Sequence, residues 1–149
     1  MILGIVGSEA KKFTPVTEEQ ARRLIRGAIK SLKATAVCSG ECPLGGIDIY
    51  AKEEAIALLG EAGYIGCPPT HHRWSGKGGY QDRNIKIAVT SDPVICIVPR
   101  VLPDGYDGMR FPQGCYHCGT PAEHHVKSGG CWTTKHARSL GKAGYTIVI

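Results

Sequence analysis

Short apolar runs alternate with segments of helical periodicity along almost the whole chain, and this alternation narrows the accessible folds more than any other feature. The runs are Ile2 to Val6, Thr35 to Cys38, Tyr64 to Cys67, Val94 to Val98 and Tyr145 to Ile149. A strand that pairs in parallel with its predecessor needs a crossover, and a helix is the usual one. The expected fold is therefore α/β, a three-layer Rossmann-like parallel sheet with helices on both faces. No Pro/Ser-rich linker divides the 149 residues, so 1–149 read as one domain.

Apolar spacing predicts four helices. Thr17 to Gln20 has the interval of a capping box, and Ala21, Leu24, Ile25, Ala28, Ile29 and Leu32 then share a face. The second helix is expected to bury Ile47, Ala51, Ala55, Leu58, Leu59 and Ala62. The third, from about Gln81 to Ser91, offers Ile85, Ala88 and Val89 before Asp92-Pro93 stops it. The fourth, from about Thr133 to Leu140, would leave Lys135, Arg138 and Lys142 on a solvated face. Two irregular stretches remain, Pro68 to Tyr80 and an insertion over about residues 100–123. Loops that long in a compact domain usually carry function or are tied down.

Glycine-bearing loops sit where strands end and helices begin. Gly7-Ser8 closes the first strand, Ser39 to Asp48 leads into the second helix, and Ser128-Gly129-Gly130 with Thr133 opens the last. The first N–H groups of a helix lack intrahelical partners and carry the positive end of its dipole, so an anion fits there. In an open parallel sheet such loops converge on one edge, where ligands bind. The implied ligand is a nucleotide or nucleotide-derived molecule. Gly7, Ser8, Ser39, Gly40, Gly45, Gly46, Ser128, Gly129, Gly130 and Thr133 would supply N–H and hydroxyl donors, and Asp48 would orient a loop or meet a ribose. Neither G-x-G-x-x-G nor Gly-x-x-x-x-Gly-Lys-Ser/Thr is present, which argues against a dinucleotide fingerprint and a P-loop.

The net charge is +5, and residues 66–149 hold the whole excess, ten Lys/Arg against five Asp/Glu, while residues 1–65 balance at eight each. That mild asymmetry suits either an ordinary soluble surface or an anion-binding face. No apolar stretch is long enough for a membrane span, and the opening Ile-Leu-Gly-Ile-Val lacks the flanks of a signal peptide. The expectation is a cytoplasmic protein, without membrane contact, whose seven cysteines are reduced thiols.

Ile2 to Ser8, the loop from Ser39 to Asp48 with the following Tyr50-Ala51-Lys52-Glu53-Glu54-Ala55, Asp82-Arg83-Asn84, Asp92-Pro93-Val94, and Ser128-Gly129-Gly130 before Thr133 together resemble the SLOG superfamily, and most of all its small YspA/cpYpsA-related branch. The likeness spans nearly the whole chain outside the insertion. It implies a Rossmann-like, nucleotide-binding fold that frequently forms homodimers, and it turns Arg83 and Asn84 toward the crevice. A helix-start pair holding surface loops is the other reading of those two residues. The Lonely Guy phosphoribohydrolases of this superfamily carry Pro-Gly-Gly-x-Gly-Thr-x-x-Glu. The corresponding positions here keep Gly129, Gly130 and Thr133 but place His136 where the glutamate stands. An N-glycosidase using Asp48 or His136 is thus one rival reading, and a single-stranded nucleic-acid binder, as in the DprA branch, is another.

Cys115-Tyr-His-Cys118 is a C-x-x-C inside the insertion, followed by His124, His125 and Cys131. Thiolate and imidazole at these intervals can surround a tetrahedral zinc ion, with Cys115, Cys118, His125 and Cys131 as ligands. Four protein ligands leave no open position, so the zinc would be structural. Buried thiols beside surface histidines, or a redox dithiol, fit the same residues. Cys67, His71 and His72 form a weaker second set.

Overall fold

The computed structural model describes residues 1–115, 117–119, 121 and 128–149. Its strands are β1 (Ile2–Gly7), β2 (Ala36–Ser39), β3 (Tyr64–Gly66), β4 (Val94–Val98) and β5 (Gly144–Val148). The helices are α1 (Pro15–Ser31), α2 (Ile47–Leu59), α3 (Tyr80–Thr90) and α4 (Gly129–Ser139). The strands form one sheet in the order β3-β2-β1-β4-β5, with every pairing parallel. The expected α/β architecture is the observed one.

Alternation along the central strands separates two cores, because successive side chains leave a strand on opposite faces. Leu3, Ile5, Val37, Ile95 and Ile97 pack with Ile25 and Ile29 of α1 and Ile47, Ala51 and Ala55 of α2. Val6, Cys38, Val94, Cys96 and Val98 pack on the other face with Ile87 and Ala88 of α3 and Ala137 of α4. Every residue of β4 is buried, as a strand covered on both sides requires. Glu54 of α2 ties the first pair of helices together, accepting from Arg22 and Arg26 of α1 at 3.4 and 3.0 Å.

The helices differ from expectation in instructive places. The capping box lies three residues earlier than its predicted position: Thr14 is the N-cap, Thr17 N–H donates to its hydroxyl at 3.2 Å, and Thr14 N–H donates to Thr17 Oγ1 at 2.8 Å. Pro15 can then occupy the first turn, where its missing N–H costs nothing. In α2, Leu58 is exposed and Ala62 lies beyond the helix, which ends at Gly60 with φ of 77°. In α3 the inward face is Arg83, Asn84, Ile87 and Ala88, while Val89 is exposed. Arg83 belongs to that face because it has a buried partner, Asp48. Finally, α4 starts at Gly129, four residues before expectation, with Ser128 as its N-cap.

Two cations assigned to solvent are structural. Lys142 Nζ donates to the carbonyls of Ala88, Val89 and Ser91, closing the C-terminus of α3. Those carbonyls have no helical partner and carry the negative end of the dipole, so an ammonium suits them. Arg138 Nη1 donates to Gly144 O at 2.9 Å and joins α4 to β5.

Candidate functional site

The chain builds β1, β2 and β3 in one direction across the sheet and then returns to place β4 on the other side of β1. That reversal leaves a crevice at the carboxyl ends of β1 and β4, the place where open parallel sheets bind ligands. The crevice has a volume of about 810 Å³, and the first turns of α2, α3 and α4 all contribute to its lining. Three helix N-termini pointed at one volume favour an anion there.

Of the predicted residues, Gly7, Ser8, Gly45, Asp48, Arg83, Asn84, Ser128, Gly129 and Gly130 line the crevice. Ser39, Gly40, Gly46 and Thr133 do not, and each has an evident structural task. Ser39 Oγ donates to Ile5 O at 2.6 Å, fixing β2 beside β1. Gly46, at φ of 82°, is the N-cap of α2, and a Cβ there would stand 2.2 Å from Ser8 O. Thr133 is fully buried, and its hydroxyl donates back to Gly129 O within the helix. Gly40 leaves room for a guanidinium: a Cβ on it would lie 1.6 Å from Arg83 Nη1.

That guanidinium meets Asp48, with Nη1 to Oδ2 at 2.6 Å and both side chains buried. Burial pushes the Asp48 carboxyl above its usual range, while the charge and hydrogen bond of Arg83, an amide donor at Cys42 and the Ser39 hydroxyl pull the other way. The pair brings a positive and a negative side chain to the crevice without adding net charge.

The backbone donors expected from the glycine loops are largely engaged. Ser8 N–H donates to Ile97 O, Gly45 N–H to Cys42 O and Gly130 N–H to Ser128 Oγ. Gly130 itself packs against the sheet, where a Cβ would meet Cys96 Sγ at 2.7 Å and Gly7 N at 2.9 Å. Two side-chain groups remain. Ser8 Oγ and Arg83 Nε are buried at the crevice, and neither meets a hydrogen-bond partner among the described residues. A buried donor without a partner costs about 1–3 kcal/mol, so both are places where a ligand oxygen would be stabilising.

Part of the lining is aromatic, and sequence reasoning missed it. Trp74 and His117 come from the two long loops and Trp132 from α4. Trp74 meets Trp132 edge to face at 5.4 Å and stacks on His117 at 6.1 Å. Tyr80 and Tyr106 continue the lining. These two tryptophans are the only ones in the chain. Their concentration beside glycine loops was the available signal.

No protein-family model, curated protein or solved structure matches this chain.

Beside the crevice lies a group of thiols. The Sγ atoms of Cys115, Cys118 and Cys131 lie within 4.8 Å of one another, and Cys115 and Cys131 are buried. Thiolates around a tetrahedral zinc ion stand about 3.8 Å apart, from a Zn–S length of about 2.3 Å, so the three are close enough to bind a metal ion. For the Cys131 thiol, the hydrogen bond with Cys115 pulls downward, but contact with Cys96 and burial outweigh it and push the thiol up. The predicted fourth ligand, His125, lies outside the described residues, as does His124. The weaker second set does not join this cluster. His71 contacts Lys77 O, His72 contacts the Tyr80 hydroxyl, and Cys67 faces Cys38.

The residues proposed for hydrolysis are not assembled as a pair. His136 stacks on Trp132 at 5.0 Å and is not among the residues lining the crevice, whereas Asp48 is held by Arg83. Glu41, the other carboxylate near a glycine loop, pairs with Lys52 at 2.5 Å. No helix among the described residues is long and apolar enough to cross a membrane.

Proposed function

We propose that the crevice binds a nucleotide or nucleotide-derived ligand, its anionic end at Ser8, Arg83 and the start of α4 and its base against Trp74 and Trp132. The observation that carries this reading is the pair of buried donors with no hydrogen-bond partner among the described residues, Ser8 Oγ and Arg83 Nε, in a crevice that Trp74, Tyr80 and Trp132 also line. A phosphate alone would need no aromatic surface, and an uncharged aromatic ligand would leave both donors unmatched. This is also the ligand class that the SLOG resemblance implies. With Asp48 engaged by Arg83 and His136 outside the lining, binding is favoured over base hydrolysis.

Both tryptophans line the site, so their emission is a direct readout. Titration with nucleoside monophosphates should change it saturably, and the matching nucleoside should bind more weakly. Ser8→Ala removes one hydrogen bond to a charged oxygen, about 1.5–3 kcal/mol, and should weaken the monophosphate about ten- to hundredfold. An unchanged constant in folded Ser8→Ala, or no response to any nucleotide, would refute the placement. The three-thiol cluster is proposed to hold zinc with His125 as fourth ligand, bracing the insertion and the first turn of α4.

A further inference from the structure

Two other cysteines, outside both the crevice lining and the three-thiol cluster, meet across neighbouring strands. Cys38 of β2 pairs with Ile65 of β3 in the parallel register, and Cys67, two residues further on, returns to the same face just beyond the strand. Cys67 N–H donates to Ser39 O at 2.8 Å, which continues the pairing and fixes its position. The two sulfurs are 3.7 Å apart. Cys38 is fully buried and Cys67 is half-buried. From this geometry we infer that Cys38 and Cys67 form a redox-active dithiol, in which Cys67 is oxidised by a hydroperoxide and Cys38 resolves it as a cross-strand disulfide.

The asymmetry assigns the roles. A thiolate is the nucleophile, and it needs both access and a favourable charge environment. The hydrogen bond from Cys38 holds the Cys67 thiol below its ordinary range, helped by Lys86 and Arg83 on α3 and opposed by burial and by Glu41. Cys38 moves up, through the same contact with Cys67 and through burial. The less buried partner, Cys67, is therefore the one that ionises first, and the enclosed Cys38 holds its proton more tightly.

The chemistry balances in two steps. The Cys67 thiolate attacks the distal oxygen of a hydroperoxide, the O–O bond breaks, and the alkoxide or hydroxide leaves with the electron pair. Cys67 becomes a sulfenic acid, oxidised by two electrons. Cys38 sulfur then attacks Cys67 sulfur. The S–S bond forms, the S–O bond breaks, and the departing hydroxide takes the Cys38 proton and leaves as water. Closing the pair requires the sulfurs to approach from 3.7 Å to about 2.05 Å, a movement available to side-chain rotation and a small shift of the short edge strand. An external thiol would reverse the reaction by exchange at the accessible Cys67 sulfur. This inference stands independently of the nucleotide reading.

Cys38 and Cys42 fall on one tryptic peptide, residues 34–52, and Cys67 on the next, residues 53–73. The test therefore uses folded full-length Cys42→Ser protein treated with dilute hydrogen peroxide, digested without reductant and read by mass spectrometry. A cross-linked pair of these peptides, lost on treatment with dithiothreitol, is expected. In Cys38→Ser protein the sulfenic acid should accumulate on Cys67 and be trapped by a cyclic 1,3-diketone. In untreated native protein near neutral pH, Cys67 should be alkylated by iodoacetamide roughly tenfold faster than Cys42, whose thiol burial pushes up. Oxidation of Cys67 to the sulfinic acid without the cross-link, or equal alkylation of Cys67 and Cys42, would overturn the assignment.

Discussion

Replacing Arg83 with leucine should expose how the crevice floor is held. The guanidinium lies 2.6 Å from Asp48, and the two side chains are only 10% and 6% exposed. At that distance and an effective dielectric of about 20, the attraction is on the order of 6 kcal/mol. Relaxation and water entry return part of it, so orphaning the carboxylate should cost about 3–5 kcal/mol. For a chain of this length that corresponds to a fall in Tm of about 6–20 °C. The pH dependence gives the sharper signature. Burial already raises the Asp48 carboxyl above its unfolded value, and removing Arg83 takes away the largest opposing influence. A carboxyl raised in the folded state binds its proton more tightly there than when unfolded. Stability is therefore lost as pH rises from the unfolded value, about 3.9, through the folded one. The deficit of Arg83→Leu should be largest near neutral pH and should shrink on acidification, as Asp48 becomes neutral. Urea unfolding at pH 7 and pH 4.5 would measure it. Adding Asp48→Asn removes the orphaned charge and should recover about half the loss or more. A deficit below about 1 kcal/mol, one that does not change with pH, or strict additivity of the two substitutions would show that the pair does not hold the floor.

Other expectations use the same contacts. Gly130→Ala would press a methyl group on Cys96 and the Gly7 backbone and should destabilise by about 1–3 kcal/mol, whereas Gly129→Ala meets nothing within 4 Å and should unfold at or slightly above the native temperature. Lys142→Met should lower stability by about 1–2 kcal/mol in thermal unfolding, since it removes the cation that closes α3. Protein purified without added metal should carry close to one zinc per chain by elemental analysis, and Cys118→Ser should lose it. A metal-free native protein would rule out the zinc assignment.

The scaffold was legible because its signals are local and periodic. Five apolar runs divided by helical stretches allow few arrangements other than a parallel sheet, and glycine pairs after strands mark the edge where a site can form. The errors came where a tertiary partner overrode a local preference. Nothing around Arg83 announces that Gly40 and Asp48 will enclose its guanidinium, so apolar spacing alone gives α3 the wrong buried face and only the family resemblance turns Arg83 and Asn84 inward. Lys142 looks solvated until α3 and α4 are placed side by side. Thr17 to Gln20 fits a capping box as well as Thr14 to Thr17 does, and Pro15 was the overlooked clue. The aromatic wall was least legible, because Trp74, Tyr106 and His117 lie in stretches with no periodicity and meet Trp132 only after the chain has folded.

The crevice draws its two halves from different kinds of structure. Its floor rests on contacts that tolerate no extra atom, such as Gly130 against Gly7 and Gly40 beneath Arg83, whereas Trp74, Tyr106 and His117 of the wall belong to loops outside the sheet. In the proposed binding mode, anchoring the ligand and choosing it would fall to separable parts of the chain. On that reading, exchanging the loops while keeping the floor should change which ligand is accepted without redesigning the scaffold.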